Sequence, residues 1–468
     1  MRGFLVSSIG VTCATALALP SAPPALAAAS APAAAAPRAA LPAEGYVPGS
    51  TQSLPFGPSA GDRATGAPEP GLAPRDVRHF SLVGVVWDDP DTELHGSVQV
   101  RTRATGTGTW SDWRHLRTHD SEHGPDPDTP ERTSGRVRGA TAPLWVGDSD
   151  GVEVRVREAE REEGAAGDEG AGSAAGDEGA PSDEGAPGDE GGAAGVARAG
   201  GAERAVPPAA LPGGLRLELV EPGRGAAPLD ADEIPELSRA ETENELLALG
   251  VGALTGQRPD QALRAKPHIG PRPGIVTRRG WGADEGLRER GFKYTKKVKA
   301  AFVHHSATGN NYRCAQVPSI IRGIYRYHVR SMGWRDVGYN FLIDRCGKIY
   351  EGRAGGVAKP VLGAHTRGFN SDSMGVVVLG TYGSKKPSAA AVKALSRLTA
   401  WKLGLYGMNP RGKTYLKSGG GNRYRKGRNV RLNVISGHRD GFATDCPGKQ
   451  LYGKLGTARS TAARYQGR

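Results

Sequence analysis

Residues 301–307 read Ala-Phe-Val-His-His-Ser-Ala, and residues 437–448 read Gly-His-Arg-Asp-Gly-Phe-Ala-Thr-Asp-Cys-Pro-Gly. The first is a short apolar run ending in His304 and His305. The second holds His438 and Cys446, with Pro447 fixing the turn behind the cysteine. Two imidazoles and a thiolate are a plausible zinc donor set. Catalytic zinc takes three protein ligands in a tetrahedron and keeps the fourth corner for water. Neighbouring residues on a strand face opposite sides, so only one of His304 and His305 can reach a shared ion.

Five motifs then follow a known order: Phe-Val-His-His-Ser-Ala (302–307), Asp-Val-Gly-Tyr-Asn-Phe (336–341), Tyr-Glu-Gly-Arg (350–353), Gly-Ala-His-Thr (363–366), and Gly-His-Arg-Asp (437–440) before Asp-Cys-Pro-Gly (445–448). Together they resemble the peptidoglycan recognition protein family, which is similar to phage-type N-acetylmuramoyl-L-alanine amidases. The resemblance covers roughly residues 272–468. It implies Zn2+ held by His304, His438 and Cys446, with His305 facing away or supporting from behind. It implies a catalytic tyrosine at Tyr339. Thr444 stands where phage relatives carry lysine, so it would assist catalysis with a hydrogen bond but no cation; otherwise it caps the turn before Pro447. His365 and Asn370 match positions on the family's substrate groove. Arg353 either grips a stem-peptide carboxylate bidentately or makes a structural ion pair. Asp440 is expected to pair locally, with orientation of His438 as its other reading. The implied substrate is peptidoglycan, cut between the lactyl group of muramic acid and L-alanine.

The elements that must position these groups are legible. Lys299–His305 reads as an inner strand. Ile320, Ile321, Ile324, Tyr325 and His328 recur at helical spacing between Val317 and Met332. Tyr339–Ile343 and Lys348–Tyr350 form a hairpin, Met374–Leu379 a buried strand, Ala391–Leu405 a helix, and 411–428 a surface excursion. The fold class expected is mixed α/β: a C-terminal amidase domain (272–468) with a central mixed β-sheet flanked by helices. An antiparallel β module and disordered linkers precede it.

Upstream, residues 1–29 read as a signal peptide and 30–75 as a disordered Ala/Pro-rich arm. Residues 76–222 alternate in short strands, as in an antiparallel sandwich or barrel. The run 158–206, with Asp-Glu-Gly recurring four times, is a disordered acidic insertion. Residues 223–271 are a linker with one helix near 232–249. The module offers no acid pair or metal cluster; its tryptophans are core residues or a glycan surface. No later run of 18 apolar residues follows the leader, so the mature chain is expected to be secreted, associated with the cell wall and without a transmembrane segment.

Charge is unevenly divided. Residues 271–468 hold 38 Lys+Arg against 9 Asp+Glu, a net +29, leaving −17 for residues 1–270. A basic half suits a polyanion. The resemblance favours peptidoglycan and anionic cell-wall polymers, and no finger spacing or ribonucleoprotein motif supports nucleic acid. The opposite signs suggest that the acidic run could restrain the basic domain. Of four cysteines, Cys13 lies in the leader. If Cys446 binds metal, Cys314 and Cys346 can pair in an exported protein; two buried free thiols are the alternative. A non-catalytic peptidoglycan-binding protein is the rival function.

Overall fold

The structure, a computed structural model, describes residues 47–58, 70–118, 122–158, 211–224, 232–248 and 268–468. The signal peptide and nearly all of the acidic insertion lie outside these. Among the described residues no helix is long and apolar enough to cross a membrane.

The N-terminal module is antiparallel, as the alternation predicts. Its strands run in the order Ser50–Pro55, Arg216–Glu221, Pro70–Trp87, Leu144–Glu158, Gly96–Ala104, Arg114–Leu116, with two short strands off this path. They form one hydrogen-bonded sheet, not the two separately bonded sheets of a sandwich. Register shifts along the 18-residue strand Pro70–Trp87 mark where it bends, as bulges do. Arg216–Glu221 resumes the sheet beside that strand, as expected of the far side of an insertion.

Two boundaries need correction. Ser50–Pro55 lies within the segment expected to be a disordered arm, yet it pairs with Arg216–Glu221 throughout. An edge strand is held by main-chain hydrogen bonds, which leave no side-chain period to read; its proline is tolerated there. The presumed linker contributes Glu233–Ile234, paired with Ile275–Val276 at the edge of the C-terminal sheet. Helix Arg239–Ala248 follows, opened by Ser238 and Glu241 bonding each other's backbone N–H groups.

The C-terminal sheet is mixed, in the order Ile435–Gly437, Ala300–His305, Ser373–Val378, Phe341–Ile343, Ile349–Glu351, Ile275–Val276, Glu233–Ile234. Ala300–His305 is parallel to both neighbours, and all six of its residues are buried. That is why it reads as a continuous apolar run. Ala389–Gly404 and Leu455–Tyr465 pack together over a core that includes Leu395, Leu398, Val376 and Val303. Cys314 and Cys346 form a disulfide. It ties the start of helix Val317–Arg326 to the hairpin turn, contributing about 3–4 kcal/mol on the chain-entropy account.

The two halves share a core. Strand Pro70–Trp87 is apolar on both faces. Phe80, Val83, Val85 and Trp87 face the module's own interior. Leu82 and Val86, with Val220, pack with Val317, Ile320, Ile321 and Ile324 of the C-terminal domain. Burying such side chains is worth about 1.5–3 kcal/mol each. Gly84 sits between Leu82 and Val86 on this face. A Cβ there would lie 2.3 Å from the Tyr327 hydroxyl, which instead donates to the carbonyl of Thr141 at 3.0 Å. Trp87 and Trp145 are buried, whereas Trp110 and Trp113 are partly exposed, with the Arg101 and Arg155 guanidiniums over the Trp113 ring.

Candidate metal centre

His304 is the penultimate residue of the central parallel strand Ala300–His305, and His438 follows the neighbouring strand Ile435–Gly437 directly. The carboxyl ends of parallel strands are where open α/β sheets hold ligands. The Asp445–Gly448 turn brings Cys446 to the same point. Its Sγ lies 3.8 Å from His304 Nδ1 and accepts from the backbone N–H of His305 at 3.4 Å. The sequence-predicted trio therefore converges.

A fourth group, unpredicted, joins them. His123, from the N-terminal module, turns its Nε2 to within 4.0 Å of Cys446 Sγ. The donor atoms of His123, His304, His438 and Cys446 all lie within 4.8 Å of one another, and all four residues are buried. The module, in which the sequence shows no metal cluster, thus contributes a fourth possible donor beside the expected three. Sequence reasoning missed His123: it is the last of three histidines spaced by four (His115, His119, His123), a recurrence that went unread before the Gly/Pro/Asp-rich stretch.

The donor types fit zinc. Bonds of about 2.0–2.3 Å in a tetrahedron put donors roughly 3.4–3.7 Å apart; Cys446 Sγ lies 3.8 Å from His304 Nδ1 and 4.0 Å from His123 Nε2, and the four donors spread to at most 4.8 Å. Neither buried ring nitrogen of His438 has a well-formed hydrogen bond, although the Glu122 backbone comes near. An orphaned buried imidazole is costly unless a metal is its partner. Burial, reinforced by the neighbouring imidazoles, holds His304 and His438 well below the usual histidine pKa. Metal ligation requires that neutral form.

Supporting contacts are equally specific. Thr366 Oγ1 lies 3.3 Å from His304 Nε2 and 3.0 Å from His365 Nδ1. His365 is fully buried behind His304, its ring against Gly363 and Gly375, where a Cβ would come within 2.4 Å. It is therefore not on an open groove; it backs the metal-facing ring through Thr366. Tyr339 stands beside the cluster, its ring 5.5 Å from that of His304 and 5.8 Å from that of His123. Arg117 donates to His305 Nε2 at 2.6 Å, and this cation together with burial pushes the imidazole pKa down to about 3. Asp440 pairs locally, bonding the Gly437 N–H and the Tyr452 hydroxyl.

The remaining predicted residues are also engaged by the module. Thr444 caps the turn by accepting from the Cys446 N–H, accepts from Arg117 at 2.9 Å, and donates to Glu122 at 2.7 Å. Asn370 donates to the Gly124 carbonyl and to Asp126 Oδ1, and its own Oδ1 accepts from the His365 and Thr366 backbones. Arg353 is in a buried bidentate pair with Glu131, at 3.0 and 2.9 Å. Of its two readings the ion pair is the one seen. In the folded chain Arg353 and Asn370 are not open to a groove, because residues 122–131 cover them.

Three imidazoles and a thiolate, backed by Thr366 and flanked by Tyr339, make a buried group that could hold a metal ion at the edge of a mixed α/β sheet. The N-acetylmuramoyl-L-alanine amidase family model matches residues 294–449, and the Rv3811 N-terminal galactose-binding domain-like model matches residues 32–185. The peptidoglycan recognition protein of Trichoplusia ni is 30% identical over 183 residues, 39% of this chain and 85% of that protein. Peptidoglycan-recognition protein SC1a of Drosophila melanogaster is 30% identical over 185 residues, 39% of this chain and 83% of that protein. The solved Drosophila PGRP-LB structure is 24% identical, with a TM-score of 0.31, covering 39% of this chain and 92% of that one. The chain belongs to the peptidoglycan recognition protein family.

Proposed function

We propose that the chain is a secreted, cell-wall-associated zinc amidase that hydrolyses the bond between the lactyl group of N-acetylmuramic acid and L-alanine in peptidoglycan. The convergence of His304, His438 and Cys446 beside Tyr339 carries this reading. Zinc at these donors would polarise the scissile carbonyl and make a bound water acidic enough to attack near neutral pH. The chain's own residues supply the rest. Thr366 fixes the His304 ring, and loss of such an orienting partner typically matters about 10–100-fold at metal sites. Tyr339 donates a hydrogen bond to the oxygen that gains negative charge, a contribution worth about 3–4 kcal/mol for a single donor. Thr444 offers a second, uncharged donor once released from Glu122. Arg353 and Asn370 would bind the stem peptide once residues 122–131 leave them, and the +29 half favours anionic cell-wall polymers as further partners.

The rival, non-catalytic recognition, is favoured by one observation: His123 sets a fourth protein donor beside the three that a catalytic ion would use. The test incubates zinc-loaded protein with purified sacculi, as the intact chain and as His123→Ala, with and without chelator. New amino termini on alanine are then labelled. Chelator-sensitive release from His123→Ala is expected. No release from either form would remove the enzyme and leave the binder.

A further inference from the structure

Every residue the amidase reading needs for substrate or water is met by one stretch of the N-terminal module. That stretch, Glu122–Glu131, contains no helix or strand. Glu122 takes the Thr444 hydroxyl. His123 joins the three donor residues. The Gly124 carbonyl and the Asp126 carboxylate take the Asn370 amide, and the Gly368 N–H also donates to Asp126 at 2.8 Å. Glu131 takes the Arg353 guanidinium and accepts from the Arg335 N–H. Two of these anchors are carboxylates seated on the very side chains expected to hold an anionic peptide. The large surface groove nearby reaches Thr444 and His305 but stops at Arg117 and Glu122; none of the four cluster residues lines it.

A loop that merely crossed this surface would not satisfy these groups one by one. We infer that Glu122–Glu131 is a built-in occupant of the substrate groove, with His123 as a fourth protein donor to the metal, so that the chain as folded is latent. The inference rests on the amidase reading for what is being held latent, but the occupancy itself can be tested separately. The shared core of Leu82, Val86 and Val220 with helix Val317–Arg326 holds the module against the domain, so the occupant is delivered at high effective concentration. A thiolate and three imidazoles with no open corner is otherwise the donor count of a structural zinc site. The carboxylates on Arg353 and Asn370 are what separate the two readings: a purely structural site needs His123 but has no use for them.

The experiment uses full-length chain loaded with Co(II), which gives a thiolate charge-transfer band and visible ligand-field bands. Acetohydroxamate, a small metal-directed chelating probe, is titrated into wild type, His123→Ala, and an Asp126→Ala/Glu131→Ala variant that keeps His123. An occupant in place for most of the time lowers apparent probe affinity in proportion to its occupancy. The wild-type spectrum should therefore resist the probe, and both variants should respond at least about tenfold more readily. Wild type responding as readily as His123→Ala would overturn the inference. If His123→Ala fails to retain cobalt, the double variant decides: response supports latency, and no response overturns it in favour of a structural fourth ligand. Sacculi digestion runs in parallel. Wild type releasing alanine termini as fast as the variants overturns latency. Variants that admit the probe yet release nothing uphold the occupant and sink the amidase reading instead.

Discussion

Replacing Glu131 with alanine should destabilise the chain by about 3 kcal/mol. The Glu131 side chain is 7% exposed and that of Arg353 only 4%. Their bidentate contact is supplemented by the Arg335 N–H, which donates to Glu131 at 3.1 Å. Truncation leaves a buried guanidinium uncompensated, a change that typically costs about 3–5 kcal/mol. The lower end applies because Arg353 Nε keeps its hydrogen bond to the Val337 carbonyl at 2.8 Å. Glu131→Gln retains one acceptor but turns an amide N–H₂ toward the guanidinium, so it should fall between wild type and alanine. Arg353→Met removes the charge that truncation would strand, so Glu131→Ala/Arg353→Met should recover part of the loss, a coupling of about 1–3 kcal/mol. Urea unfolding of wild type, Glu131→Ala, Glu131→Gln, Arg353→Met and the double variant measures this through midpoints at constant slope. A loss under about 1 kcal/mol for Glu131→Ala, or strictly additive effects in the double variant, would refute the claim that Glu131 neutralises Arg353.

Cys446→Ser should lower bound zinc to well below one per chain by elemental analysis, since a neutral hydroxyl replaces the thiolate donor; retained stoichiometric zinc would remove Cys446 from the ligand set. Burial raises the Asp126 pKa to about 6 although part of the residue still meets solvent. The folded chain then holds this proton more tightly than the unfolded one, so stability should fall as pH rises from about 4 to about 6. Asp126→Asn should remove that component of the pH profile, and an unchanged profile would mean that Asp126 is not enclosed. Gly84→Ala forces a methyl into the Tyr327 ring. Overpacking there should cost about 1–3 kcal/mol and speed amide exchange in helix Val317–Arg326 relative to Ala389–Gly404; equal protection would show that the contact does not hold the halves together.

What could be read before folding was local. His304, His438 and Cys446 sit in short motifs whose resemblance to the family's marked them as candidate ligands before any coordinates, and the fold brings the three together. The amphipathic period of Val317–Met332, the buried run at Ala300–His305 and the alternation in Ser97–Arg103 likewise report faces that each element must bury by itself. The cysteine pair was conditional on Cys446 binding metal; the fold bonds Cys314 to Cys346 and leaves Cys446 buried as a free thiol. What the tertiary structure decided was how the module meets the domain. Leu82 and Val86 announce only a strand apolar on both faces, not that its second face is covered by Ile320 and Ile324. That docking sets Glu131 on Arg353, Asp126 beside Asn370 and His123 against Cys446. None of these pairings has a sequence period, because each joins a loop to a partner more than 200 residues away. Chain composition fixes which groups can bind a metal; only packing fixes which of them are brought to it.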